Sequence, residues 1–278
     1  MQLTEEIFQV NGIAMNVASA GSGPTVLLLH GFPDTHTVWR KQTDALVKAG
    51  YTVVAPDLRG YGRTEAPNGV ASYSLEVLRN DVTGLLDVLG LERVYLVGHD
   101  WGAVIGWQLC IHAPERVERF AALSVGHPRA YARAGVGQLL RAWYALFFQV
   151  PWVSEKLLMA GDLKALESHA ADQVQLDDWR ANFAREGRAT AALNYYRANV
   201  KMLGASSRAL LPGPILGVWS EGDPALTQAQ MRDSAKYIGG TFQYERLQGT
   251  VGHWLQLAEP ERVNKLLIDF GRIAGVSR

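Results

Sequence analysis

Apolar positions fall in short runs over much of the chain. Ile7 to Val10 and Ile13 to Ala18 flank Asn11-Gly12, a dipeptide that favours the tight turn of a hairpin. Thr25 to His30, Tyr51 to Asp57, Arg93 to His99, Arg119 to Val125 and Pro214 to Ser220 are apolar with little alternation. Strands covered on both faces read this way, as in a parallel sheet. Val38 to Ala49, Leu75 to Leu89 and Ala103 to Ala113 lie between these runs and fit helices. Thr241 to Leu247 reads as a last strand and Pro260 to Ile273 as a last helix. Strand alternating with helix predicts an α/β fold built on a mostly parallel sheet.

Residues 128–212 break that rhythm. They read as mostly helical, carry the aromatics Trp143, Tyr144, Phe147, Phe148 and Trp152, and are too long for a loop. The expected organisation is a core of residues 1–127 and 213–278 with a helical cap, or lid, over 128–212. A chain of 278 residues is long enough for one such domain with an insertion.

Composition narrows the function classes. Lys plus Arg and Asp plus Glu both number 27, so net charge gives no reason to expect nucleic acid or an anionic membrane as partner. No apolar run reaches the roughly 20 residues of a membrane span. The acidic start MQLTEEIFQV lacks a secretory pattern, and the single cysteine, Cys110, forms no intramolecular disulfide. These features suit a cytoplasmic protein and leave a homodimer open.

The most informative residues are Gly98-His99-Asp100-Trp101-Gly102, after the strand RVYLV and before a helical pattern. Glycine, any residue, a nucleophile, any residue, glycine in that setting is the nucleophile elbow, whose turn is too tight for extra Cβ atoms. Here the central residue is Asp. A carboxylate that attacks a saturated carbon forms an alkyl ester, and water must then attack that ester's own carbonyl. The plainer alternative makes Asp100 only a helix cap.

Chain order supports the chemistry. An elbow nucleophile is followed by an acid and then a histidine. Asp223 follows the strand PILGVWS, with Glu221 as its rival, and His253 lies in the Gly-rich segment Gly249-Thr250-Val251-Gly252 before Trp254. An acid that holds the imidazole lets it take a proton from water. His99 packs beneath the elbow on this reading, and His127 has no assigned role. Backbone N–H groups of Phe32, in His30-Gly31-Phe32-Pro33, and of Trp101 are the expected oxyanion hole, and a cis bond before Pro33 fits that turn. There is no HExxH, no paired-cysteine spacing and no complete dinucleotide fingerprint, so no metal or cofactor is expected.

The chain resembles the α/β-hydrolase superfamily, and within it the epoxide hydrolases. The matching segments are HGFPDTHTVWR (30–40), PDLRGYGRTEAP (56–67), VGHDWGA (97–103), EGDPAL (221–226) and GHWLQLAEPERV (252–263). The resemblance implies an eight-stranded, mostly parallel sheet, with a helical cap between the sixth and seventh strands. It also implies two cap tyrosines that bind the epoxide oxygen. Tyr196, in ALNYYR, and Tyr144, in WYALFF, match those segments, with Tyr195 and Tyr131 as alternates. Trp143, Phe147 and Trp101 would line an apolar pocket for a hydrophobic epoxide, with water as co-substrate, or serve as packing. The nearest rival is a dehalogenase, which shares the aspartyl ester. Haloalkane dehalogenases pair a Trp after the nucleophile with an Asn in the oxyanion turn; Trp101 is present, but Phe32 takes the second place. Fluoroacetate dehalogenases carry arginines where Trp101 and Val104 stand. A ligand-binding receptor of this fold is a further alternative.

Overall fold

The computed structural model describes residues 3–200, 209–249 and 251–272. The turn at Asn11-Gly12 joins β1 (Thr4–Val10) to β2 (Ile13–Gly21) as an antiparallel hairpin. The apolar runs become β3 (Thr25–Leu29), β4 (Thr52–Pro56), β5 (Val94–His99), β6 (Val117–Leu123), β7 (Ile215–Ser220) and β8 (Phe242–Leu247). They form one eight-stranded sheet in the order β1-β2-β4-β3-β5-β6-β7-β8. β2 pairs antiparallel with β1 and β4, and every later pairing is parallel. β5 and β7 are buried along their whole length, as covering on both faces requires.

Helices cover the sheet. α1 (Arg40–Lys48) is preceded by a 3-10 turn at His36–Trp39, so the pattern from Val38 spans two elements. α2 (Leu75–Val88) is capped by the Ser74 side chain. α3 (Trp101–His112) starts two residues before the apolar spacing indicated, because the elbow runs directly into it, and it is buried from Trp101 to Cys110. A helix apolar all round belongs in a protein interior.

Between β6 and β7, among the described residues, come seven helices. They are α4 (Pro128–Ala132), α5 (Val136–Arg141), α6 (Trp143–Phe147), α7 (Val153–Met159), α8 (Lys164–Glu167), α9 (Gln173–Phe183) and α10 (Arg188–Ala198). α11 (Gln228–Arg232), α12 (Leu255–Ala258) and α13 (Pro260–Arg272) follow β7. Residues 201–208 of the expected cap, Thr250 of the histidine loop and Ile273 of the last helix lie outside the described residues.

Parallel register fixes where chemistry can gather. Leu29 pairs with Gly98, and His99 with Leu123, so β3 and β5 end side by side, and β7 and β8 end at the same edge. Loops at that carboxyl edge are where ligands meet open α/β sheets.

Candidate active site

Asp100 occupies the turn from β5 into α3 at φ 52° and ψ −120°, a strained backbone for a residue with a Cβ. The flanking glycines explain how the chain affords it. A Cβ on Gly98 would crowd the Gly102 carbonyl, and one on Gly102 would strike the Leu29 carbonyl. A third glycine was not singled out by its spacing: a Cβ on Gly31 would run into the Asp100 carboxyl group.

The oxyanion turn therefore touches Asp100 directly. The Phe32 N–H donates to Asp100 Oδ1 at 2.8 Å, and the Phe32-Pro33 bond is cis. His30 braces the turn. Its Nε2 accepts the Leu58 N–H at 2.9 Å and its Nδ1 donates to the Gly31 carbonyl at 2.9 Å. Burial lowers its pKa to about 4, so it stays neutral in that role. Trp101 is the first residue of α3, so its N–H is one of the four that find no carbonyl within the helix.

Asp223 and His253 meet as their order implied. His253 Nδ1 lies 2.8 Å from Asp223 Oδ2, and its Nε2 lies 3.6 Å from Asp100 Oδ2. The other Asp223 oxygen accepts the N–H groups of Ala225 and Leu226 at 2.8 and 2.9 Å, which fixes the carboxylate. Glu221 points elsewhere, pairing with Arg246 and accepting the Gly249 N–H, so the geometry separates the two rivals. The His253 carbonyl accepts from His99 Nε2 and from Ser124 Oγ, both at 3.0 Å. His99 is thus a buried brace for the histidine loop, held neutral by burial with a pKa of about 3. His127 stacks on Tyr237 and takes no part in the site.

Electrostatics ties the three groups together. Burial alone would make His253 less basic, but Asp223 and Asp100 outweigh it and raise its pKa to about 10. Burial pushes the Asp100 pKa up, yet the imidazole brings the net value below the usual carboxylate range. Both carboxylates thus favour the protonated imidazole.

Two cavities meet at Asp100. One, about 310 Å³, is lined by Phe32, Trp143, Phe147 and His253 among others. The second, about 400 Å³, is lined by Trp101, Trp107, Tyr131 and Leu139 among others. Asp100, Tyr144 and Tyr196 line both. Trp101 therefore shares a cavity with the tyrosines but not with Trp143 and Phe147. The Tyr144 and Tyr196 rings lie 6.0 Å apart, and Trp101 stands edge-on to Tyr196 at 5.1 Å. Burial, then the Asp100 charge, holds both phenols well above their ordinary pKa. Tyr195 is fully buried and donates to the Arg59 carbonyl at 2.7 Å, so it is structural, whereas Tyr131 stays at the second cavity.

Sequence reasoning missed several groups that brace this site. Asp34, directly after Pro33, accepts from Gln175, Trp179 and Trp254, and Arg141 donates to the Asp223 carbonyl. Their adjacency to Pro33 and His253 was the available signal for Asp34 and Trp254. Among the described residues no three His, Cys, Asp or Glu side chains gather as a metal site, and no helix is long and apolar enough to cross a membrane.

Comparison with known proteins bears on the family. Residues 24–260 match the α/β-hydrolase fold family. The chain is 34% identical to human epoxide hydrolase 4 over 94% of its length and 76% of that protein. It is 33% identical to epoxide hydrolase A of Mycobacterium tuberculosis, over 96% of this chain and 97% of that one. The crystal structure of an epoxide hydrolase from Vigna radiata superposes with a TM-score of 0.86 at 28% identity, covering 97% and 98% of the two chains. The chain belongs to the α/β-hydrolase fold family. Within it the protein is an epoxide hydrolase-like hydrolase.

Proposed function

We propose that this protein converts an apolar epoxide to a vicinal diol through an ester on Asp100, with the inserted helices acting as a cap. The observation that carries the reading is the junction of the two cavities, where one carboxylate meets two half-buried phenols with an imidazole at its side. A halide leaves without needing a proton. An epoxide oxygen stays on the product and must be protonated, which is the work two phenols suit.

The steps balance as follows. Asp100 Oδ1 already accepts from Phe32, so Oδ2, 3.6 Å from His253 Nε2, is the oxygen that attacks a ring carbon. The ring C–O bond breaks as the ester bond forms. The alkoxide takes a proton from Tyr144 or Tyr196, and the phenolate is restored by the proton held on His253. Esterification removes the Asp100 charge, one reason His253 is so basic, so its pKa falls and it becomes a neutral base. It then takes a proton from water attacking the ester carbonyl. The resulting oxyanion forms on the Asp100 oxygen already aimed at the Phe32 N–H, with Trp101 N–H as second donor. Collapse breaks the ester C–O bond; the departing alkoxide takes the proton of the added hydroxyl, which releases the diol and leaves Asp100 a carboxylate beside the protonated His253.

Incubation of purified protein with styrene oxide, and separately with 1-bromobutane and fluoroacetate, tests the substrate class. Diol without halide release is expected. Halide release without diol would move the reaction to the dehalogenases.

A further inference from the structure

Asp34 is 1% exposed, yet no cation pairs with it among the described residues' ion pairs. Its Oδ1 accepts from Gln175 Nε2 at 2.8 Å and Trp179 Nε1 at 2.7 Å, and its Oδ2 from Trp254 Nε1 at 2.7 Å. All three donors are neutral. A buried carboxylate held this way is expensive to desolvate and is a weak device for stability. Burial accordingly pushes its pKa up to about 7.

The partners show what the group does instead. Asp34 belongs to the oxyanion turn, and its own N–H closes that turn on the Gly31 carbonyl at 3.0 Å. Gln175 and Trp179 belong to α9, which has other ties to the core. Arg40 grips Asp172 at 2.6 and 2.7 Å, and Thr35 donates to Asp178 at 2.7 Å. Holding α9 does not by itself require Asp34. The tie with no duplicate is the one to Trp254. That indole follows His253 in the chain and stands edge-on to its imidazole, with ring centres 5.1 Å apart at 88°. It also packs on Trp179 at 5.1 Å. One carboxylate thus joins the turn that presents the Phe32 N–H to the side chain that walls His253.

We propose that Asp34 is a positioning residue for ester hydrolysis, fixing the Trp254 indole, and through it the His253 imidazole, relative to the Phe32 N–H. The assignment rests on His253 acting as the base of the second step. Ring opening needs Asp100 and the tyrosines in place. Hydrolysis in addition needs water, imidazole and oxyanion donor aligned across the same carbonyl, so a small displacement of His253 falls on that step.

Asp34→Asn is nearly isosteric. Its amide oxygen still accepts from α9, but its NH2 meets the Trp254 N–H donor to donor. Asp34 does not line either cavity. Single-turnover kinetics should show ester hydrolysis slowed about 100-fold, the penalty typical of a displaced catalytic group, with ester formation within about twofold. Trp254→Phe keeps a six-membered aromatic ring but removes the N–H donor together with the five-membered ring, and should reproduce the effect if Asp34→Asn folds poorly. The double variant should be no slower than the worse single one, since both cut one bond. The downfield Nδ1–H proton resonance of His253 should shift in either variant, a readout independent of turnover. Equal loss in both steps, unchanged hydrolysis, or additive losses would overturn the proposal. If His253→Gln forms no ester at all, the ester reading itself fails, and that is seen before Asp34 is altered.

Discussion

Asp100 is held at a positive φ by neighbours that leave no room for side chains, and its chemistry is the sharpest claim at the scale of single residues. Asp100→Ala is expected to abolish turnover, as assayed by diol formation. His253→Gln is expected to accumulate the ester, because no base is then left to take a proton from the water that hydrolyses it. Intact-mass spectrometry after exposure to styrene oxide checks this, and an unmodified protein would count against it. Replacing Tyr144 and Tyr196 together with Phe should slow ester formation by about 100- to 10,000-fold, the usual worth of general acid catalysis. Unchanged single-turnover rates would remove the phenols from the mechanism. Asp100, Asp223 and His253 were legible because glycine spacing, strand ends and chain order all bear on them. Asp34 was not, since its donors stand 141, 145 and 220 positions away. Strand end and chain order favoured Asp223 over Glu221, two residues away on one loop, and the contact of Asp223 with His253 and of Glu221 with Arg246 separates them in the same sense.

At the scale of elements, the close approach of turn, strand and helix does the positioning. Gly31→Ala should leave the fold in place but lower activity by about 100-fold or more, because the added methyl takes space that the Asp100 carboxyl occupies. A circular dichroism spectrum like that of the unaltered protein, with normal kinetics, would refute the close contact. The parallel strands were legible because burial on both faces erases alternation. The junctions were less so. α3 begins at Trp101 rather than Ala103, since no spacer separates elbow from helix. The individual helices between β6 and β7 escaped reading altogether. α4, α6 and α8 hold only five, five and four residues, too short to print a helical period.

For the whole molecule, catalysis and stability share one buried cluster. The folded-state pKa of His253, about 10, lies above its ordinary 6.5. Its contribution to stability is therefore complete below about pH 6.5 and lost as pH rises through about 10. Between those values the melting temperature of the unaltered protein should fall more steeply than that of His253→Gln, as calorimetry can show. Parallel curves would mean that the imidazole is not stabilised as a cation. The architecture itself, sheet and inserted helices alike, was legible from the rhythm of apolar runs. The meeting of two cavities at Asp100 was not, because it depends on packing among many short helices.

The central claim is that Asp100, and not water, attacks the substrate. One turnover in heavy-oxygen water, with enzyme in excess over styrene oxide, tests it most directly. The added oxygen of the diol should come from Asp100 and carry no label, while the label appears in the peptide that contains Asp100. Label in the diol on that first turnover, with the peptide unchanged, would contradict the account.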